Sequence, residues 1–217
     1  LACAWTLEKY NQCDAAGFAN LSERTRTRIG GLVVNAQKRF TKPRGNEAPR
    51  PMMSFRLETL EGAISAVAFP EAFHKYSILL QPEAAVMLCG CVRKDGNGSG
   101  NTLTVDEIYP IDEVPARFTT GLSLHVNAGT WTEERMRELK NLIRQHPGPT
   151  PVNICLLYPE NAKVYLRASN QLTVRVSEAL VKACEKIVDG TYISARREAG
   201  LCPPPESRWK RRNGNGG

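Results

Sequence analysis

Apolar and polar residues alternate with a period of two in the first half of the chain. Over Met52–Thr59, Met53, Phe55 and Leu57 alternate with Ser54, Arg56 and Glu58, the pattern of a strand with one buried face. Before it, Thr27–Arg39 is rich in β-branched residues and predicts a long strand, bent or bulged at Gly30-Gly31. The polar stretch Thr41–Pro51 joins the two as a basic loop. Leu60-Glu61-Gly62 turns the chain into a third strand, Ala63–Phe69. Pro70-Glu71 opens a short helix to about Leu79, since proline suits the first turn and an early acid suits the helix dipole. Ala85–Arg93 and Leu103–Tyr109 read as a fourth and a fifth strand around the glycine- and asparagine-rich loop Lys94–Asn101.

Three strands, a helix and two strands, with a glycine-containing first strand and a short second hairpin, is the order of a five-stranded OB-fold barrel, here over residues 22–113. Residues 1–21 precede it as a linker or helix. A small α+β module follows over residues 119–195: strand Leu122–Val126, then a helix from the N-cap Thr132 to His146, stopped by Pro147-Gly148-Pro149. A hairpin of Val152–Leu157 and Lys163–Arg167, a short strand at Leu172–Val174 and a helix over Ser177–Val188 complete it. From Arg196 to Gly217 the apolar pattern stops, and a disordered basic tail is expected.

Composition narrows the picture further. The 217 residues carry 29 Lys and Arg against 22 Asp and Glu, a net charge of +7. The excess lies in residues 22–109, with twelve basic against nine acidic side chains, and in residues 196–217, with six against two. That balance permits a nucleic-acid partner. Seven scattered cysteines do not form a disulfide framework, and the Cys89-Gly90-Cys91 spacing does not suit a zinc knuckle, so these thiols are expected in a core within a reducing compartment. No window approaches the roughly 18 apolar residues of a membrane span. The chain opens at Leu1 and is expected to be a fragment of a longer protein.

Most catalytic chemistries lack their residues. The three histidines, His74, His125 and His146, form no metal-ligand motif; no phosphate-cradling glycine loop and no nucleophile elbow occurs. The adjacent acids Asp106-Glu107 and Asp112-Glu113 read as solvated strand ends pointing opposite ways. No catalytic residue, metal, cofactor or small-molecule substrate is expected within these residues. His74 and Tyr76, on the short helix, are expected in packing or on the surface. Binding is better supplied. OB barrels hold oligonucleotides across strands two and three and between the loops joining strands one to two and four to five. The residues falling there are Lys38, Arg39, Phe40, Lys42, Arg44, Arg50, Arg56, Arg93 and Lys94. Their cations can neutralise phosphates, and Phe40 can stack a base.

The runs R-I-G-G-L-V-V and M-M-S-F-R-L-E-T-L-E-G-A-I-S-A-V-A-F-P-E-A-F-H-K-Y, within Thr27–Tyr76, resemble the OB region of the α subunit of bacterial DNA polymerase III. Leu57, Glu58, Leu60, Gly62, Phe69, Pro70, Glu71, Phe73 and Tyr76 match that family's strand-to-helix pattern. The stretch from Gly121-Leu122-Ser123-Leu124 to Pro151-Val152 looks like the same subunit's C-terminal domain, so the resemblance covers about residues 5–190. It implies a cytoplasmic, non-catalytic piece of a DNA-directed DNA polymerase, a nucleotidyltransferase of the replisome, whose catalytic aspartates lie upstream. It also implies contact with single-stranded template and, in some members, docking of the clamp-loader τ subunit by the last domain. Ser54, Arg56 and Thr59 depart from the family's usual Phe, Thr and Asp, which trades a stacking ring for a phosphate contact. Two other functions fit the pattern: a tRNA anticodon-binding OB domain of a synthetase, and a protein-interaction scaffold docking τ.

Overall fold

A computed structural model describes residues 3–43, 48–94, 100–167 and 172–202. The chain divides into two compact units: Asn11–Pro110 with the segment from Glu198, and Ala2–Tyr10 with Ile111–Arg197.

In the first unit, helix α2 (Ala15–Asn20) is capped by Asp14, whose carboxylate accepts from the Gly17 amide at 2.6 Å. Strands β1 (Arg26–Phe40), β2 (Pro51–Thr59), β3 (Gly62–Ala68), β4 (Ala85–Lys94) and β5 (Asn101–Pro110) close into a barrel in the order β1-β2-β3-β5-β4. All contacts are antiparallel except β3 with β5. Helix α3 (Pro70–Tyr76) lies between β3 and β4 in sequence, which completes the OB-fold topology. Ile29, Val33, Phe55, Leu57, Leu88 and Leu103 fill the interior. Burial of this kind, at about 25 cal/mol per Å² of apolar surface, is what holds so small a barrel closed.

The first strand is bent, but not where the glycines predict. Its bulge lies between Val34 and Gln37, with Asn35 at a φ of 51°. Asparagine tolerates that left-handed conformation because its short polar side chain can bond locally. Gly31 has a different duty: a Cβ there would overlap the Glu58 carbonyl oxygen of β2. At Leu32 the strand exchanges its partner, from β4 to β2, and the backbones must come close.

The second unit contains helix α1 (Ala4–Tyr10), helix α4 (Val114–Phe118), strand β6 (Thr119–Asn127), helix α5 (Glu133–Gln145) and strand β7 (Pro147–Leu157). Strands β8 (Lys163–Arg167) and β9 (Thr173–Val174), helix α6 (Glu178–Cys184) and strand β10 (Gly190–Ala195) follow. The sheet order is β10-β6-β7-β8, with β9 paired to β7. Leu122, Leu124, Val126 and Val152 on one sheet face pack with Leu139 and Ile143 of α5 and Leu180 and Val181 of α6. Tyr10 closes the unit by a 2.6 Å hydroxyl contact with Thr119.

Two features differ from the sequence expectation here. Pro147-Gly148-Pro149 ends α5 but also begins β7, and β10 adds a strand after α6. A further difference lies at the end of the chain. Glu198–Cys202, expected to leave the fold with the tail, is held on the first unit, where the Arg28 guanidinium donates to the carbonyls of Glu198 and Ala199 at 2.8 and 3.3 Å. Residues 203–217 lie outside the described residues.

Candidate nucleic-acid interface

Strand alternation decides which side chains leave the barrel. In β2, Phe55 and Leu57 point into the core, so Ser54, Arg56 and Glu58 point out. The register carries this outward line across four further strands. Arg56 stands opposite Val34 on β1 and Ser65 on β3; Ser65 stands opposite Thr102 on β5, and Thr102 opposite Arg93 on β4. Arg56 and Arg93 therefore mark two ends of one cross-strand row. Three strand steps around a closed five-stranded barrel separate them, and Thr102 between them is buried, so the two guanidinium groups leave the barrel in different directions. Both are exposed, and neither has an ion pair among the described residues. Glu58 is the acid nearest in sequence on the same face, two residues beyond Arg56.

The bulge in β1 changes the picture at its far end. Uninterrupted alternation from Val34 would carry Lys38 and Phe40 on the Arg56 face. One extra residue reverses the parity: Gln37 pairs with Ser54 and Arg39 with Met52, so Gln37 and Arg39 share the Arg56 face. The Arg39 guanidinium donates to the Gln37 side-chain oxygen at 3.0 Å. Lys38 and Phe40 take the opposite face, where the ammonium stands 6.0 Å from the ring centre. Phe40 is 61% exposed, so it does not plug the barrel. The six of the expected groove residues that lie on strands thus split between faces. Arg39 and Arg56 share one outward side of β1 and β2, and Arg93 points outward from β4; Lys38 and Phe40 form a separate cation–ring pair; Lys94 alternates away from Arg93.

Lys42 and Arg50 are exposed in the loop after β1. Its neck is fastened twice: the Thr41 amide donates to the Arg50 carbonyl at 2.9 Å, and the Arg50 amide to the Thr41 hydroxyl at 3.0 Å. Arg44 lies outside the described residues, as does the loop 95–99 that follows Lys94. His74 is exposed, and Tyr76 packs partly against the core below the Lys75 ammonium.

A different polar cluster occupies the wall of β1, β4 and β5. Asp106 and Glu107 are not solvated ends pointing apart. A bulge beside Cys89 and Gly90 leaves Val105 and Ile108 both inside, with two residues between them, so both acids lie outside the barrel. There Asp106 pairs with Arg26 at 2.7 Å. Burial pushes the Asp106 carboxyl up from its ordinary range, against the opposing pull of Arg26. Glu107 is 3% exposed and accepts hydrogen bonds from the Tyr109 phenol and from the amides of Leu201 and Cys202. Burial, and next the hydrogen bond to Glu107, raise the Tyr109 phenol, which keeps it a donor. Beside it, burial pushes the Cys89 thiol up to about 12. All seven cysteines are free thiols. Among the described residues no group of three or more His, Cys, Asp or Glu could hold a metal ion. No helix there is long and apolar enough to cross a membrane.

No family model matches the chain. It is 27% identical over 155 residues to the DNA polymerase III subunit alpha of Pseudomonas fluorescens, covering 71% of this chain and 13% of that protein. It is 28% identical over 148 residues to the DNA polymerase III subunit alpha of Escherichia coli, covering 68% of this chain and 12% of that protein. The chain therefore spans about an eighth of the length of the curated relatives it matches. Among solved structures, it is similar to the second OB-fold domain of replication protein A from Methanococcus maripaludis, with a TM-score of 0.35 and 21% identity over 43% of this chain and 91% of that one. The resemblance stated from the sequence is matched by DNA polymerase III α subunits, while the barrel is recognised by its own strand order.

Proposed function

We propose that this chain is a non-catalytic part of a replicative DNA polymerase α subunit whose barrel holds single-stranded template DNA. The supporting observation is exposed Arg56, which points outward from β2 beside Ser65 of β3, on the wall that OB barrels offer to oligonucleotides; Arg93 adds a cation on β4. Arg39 joins it from β1, and Lys42 and Arg50 lie exposed in the adjoining loop. Exposed cations without an ion pair among the described residues give up little when they take a phosphate and release its counterions. Among the described residues the wall has no aromatic ring, since Ser54 stands beside Arg56 and Phe40 faces the other way. Contact is therefore through phosphates and tolerant of sequence, which separates this function from base-reading anticodon recognition.

Arg39→Ala, Arg56→Ala and Arg93→Ala, combined in the full chain, test the wall. Binding of any single-stranded DNA should weaken alike, and the slope of log affinity against log salt should flatten by roughly 0.7 per lost phosphate contact. A slope equal to that of the unaltered chain would reject the wall as the site. Docking of the clamp-loader τ subunit by the second unit belongs to the same proposal, and is tested by co-elution of the chain with τ.

A further inference from the structure

The sheet of the second unit buries only one face. Leu122, Leu124 and Val126 of β6 lie under the helices, and the alternate residues form the other face. That other face carries three rings on a polar ground. Tyr192 comes from β10, His125 from β6 and Tyr165 from β8. The Tyr192 and His125 rings are in contact, with centres 4.2 Å apart. Gly190, in register with His125, makes room for this, because a Cβ there would stand 3.2 Å from the Tyr192 ring. Tyr165 is two strands from His125, roughly 10 Å. Cys155 stands between them in register and is fully buried.

The two tyrosine rings are open to solvent, Tyr165 65% and Tyr192 58% exposed, and His125 is half-buried beside Tyr192. The same face of β8 presents Lys163 and Arg167, both exposed and without an ion pair among the described residues. None of the outward positions of β10, β6, β7 and β8 is acidic. The neighbouring acid, Asp189, is engaged at the end of β6, where it accepts from the Asn127 amide at 2.7 Å. Burial, and next the charge of Lys163, lower the His125 pKa, so the imidazole is neutral at neutral pH. Two exposed rings on β10 and β8, with the half-buried His125 ring against Tyr192 and cations at one edge, match what an unpaired nucleic-acid strand requires: flat faces for bases and positive charge for the backbone.

We infer that this open sheet face is a second binding surface for single-stranded nucleic acid, distinct from the barrel wall. Bases stack on Tyr192 and His125 and on Tyr165, and Lys163 and Arg167 take phosphates. The inference stands on the second unit alone and does not depend on the barrel.

The test uses the full chain and a labelled oligo-dT of roughly 20 nucleotides, longer than the 4–16 that one OB barrel covers. Tyr165→Ala with Tyr192→Ala should weaken binding ~5-fold or more, and Tyr165→Phe with Tyr192→Phe should retain it. Tyr165→Leu with Tyr192→Leu keeps the apolar bulk without the ring and should behave like the alanine pair. Photo-cross-links from a 5-iodouracil oligonucleotide should map to peptides containing Tyr165 or Tyr192, also in a chain carrying Arg56→Ala and Arg93→Ala. Cross-links confined to Asn11–Pro110, or a leucine pair that binds like the unaltered chain, would overturn the second surface. Cross-links at Tyr165 and Tyr192 with an unchanged salt slope in the barrel variant would reject the barrel wall and leave this surface standing.

Discussion

Gly31 of β1 lies against the Glu58 carbonyl of β2 so closely that any Cβ at residue 31 would overlap it. This is the point where β1 leaves β4 for β2, and the barrel closes only if two backbones meet without a side chain between them. Gly90 repeats the arrangement against the Thr104 carbonyl of β5. Gly31→Ala should therefore destabilise the chain by about 1–3 kcal/mol through forced backbone movement. Gly121→Ala is the control, since its Cβ would have 3.9 Å to its neighbours and should change stability by less than about 1 kcal/mol. Urea unfolding of both variants measures the contrast, and equal midpoints would contradict it.

Asp106 should give the barrel an unusual pH dependence. Its folded carboxyl is raised above the ordinary value by burial, which outweighs Arg26, and Glu107 adds to the rise. In the interval between the unfolded and the folded value, the folded chain holds more protons, so this group's contribution to stability falls as pH rises. The stabilising effect is present below the unfolded value and lost above the folded one. Asp106→Asn removes that dependence, so the stability of the unaltered chain relative to the variant should decline through the carboxylate range. A difference that grows with pH would contradict the direction. Asp106→Ala, which leaves half-buried Arg26 without its carboxylate, should cost about 1–3 kcal/mol.

Two helix starts should prove equally local. The Thr132 hydroxyl accepts from the Arg135 amide at 3.3 Å, and the Ser177 hydroxyl from the Leu180 amide at 3.2 Å. Thr132→Ala and Ser177→Ala should each cost about 1 kcal/mol, with the larger loss at the partly buried Ser177. Thermal melts of the two variants give the order.

Much of this was legible in the sequence because it is local. The alternation over Met52–Thr59 gives both the strand and its outward Arg56, and Thr132 marks its helix directly. What escaped depends on counting residues or on distant partners. Glycine signals both a bulge and a close backbone approach; Gly31 serves the second purpose and Asn35 the first. That displacement by a few residues reverses Phe40 relative to Arg56, so the candidate groove could be assembled by composition but not by face. Strand β10 carries little apolar alternation, because Ile193 is its one large aliphatic side chain on the core face. The three-ring surface was hidden with it, since Tyr192 joins His125 only through that strand's register. Nothing near Glu107 in sequence announces that the amides of residues 201 and 202 will bind it.

That last connection yields the strongest test of the end of the chain. Arg28 and Glu107 are 2% and 3% exposed, so each is a charged side chain whose water has been replaced by protein groups. For Arg28 these include the carbonyls of Glu198 and Ala199; for Glu107 they include the amides of Leu201 and Cys202 and the Tyr109 phenol. Gly200 sits against the Glu107 carboxylate, where a Cβ would overlap an oxygen. Glu198–Cys202 is thus a structural part of the barrel. A chain ending at Arg197 strips these partners at once and should unfold at lower denaturant, by the equivalent of about 3–5 kcal/mol if the charges stay buried. Gly200→Ala should produce part of that loss with the segment still present. In the truncated chain Cys89, whose thiol is protonated with a pKa of about 12 while covered, should become reactive toward iodoacetamide. A truncated chain as stable as the whole one, with Cys89 still protected, would show that the segment merely rests on the surface.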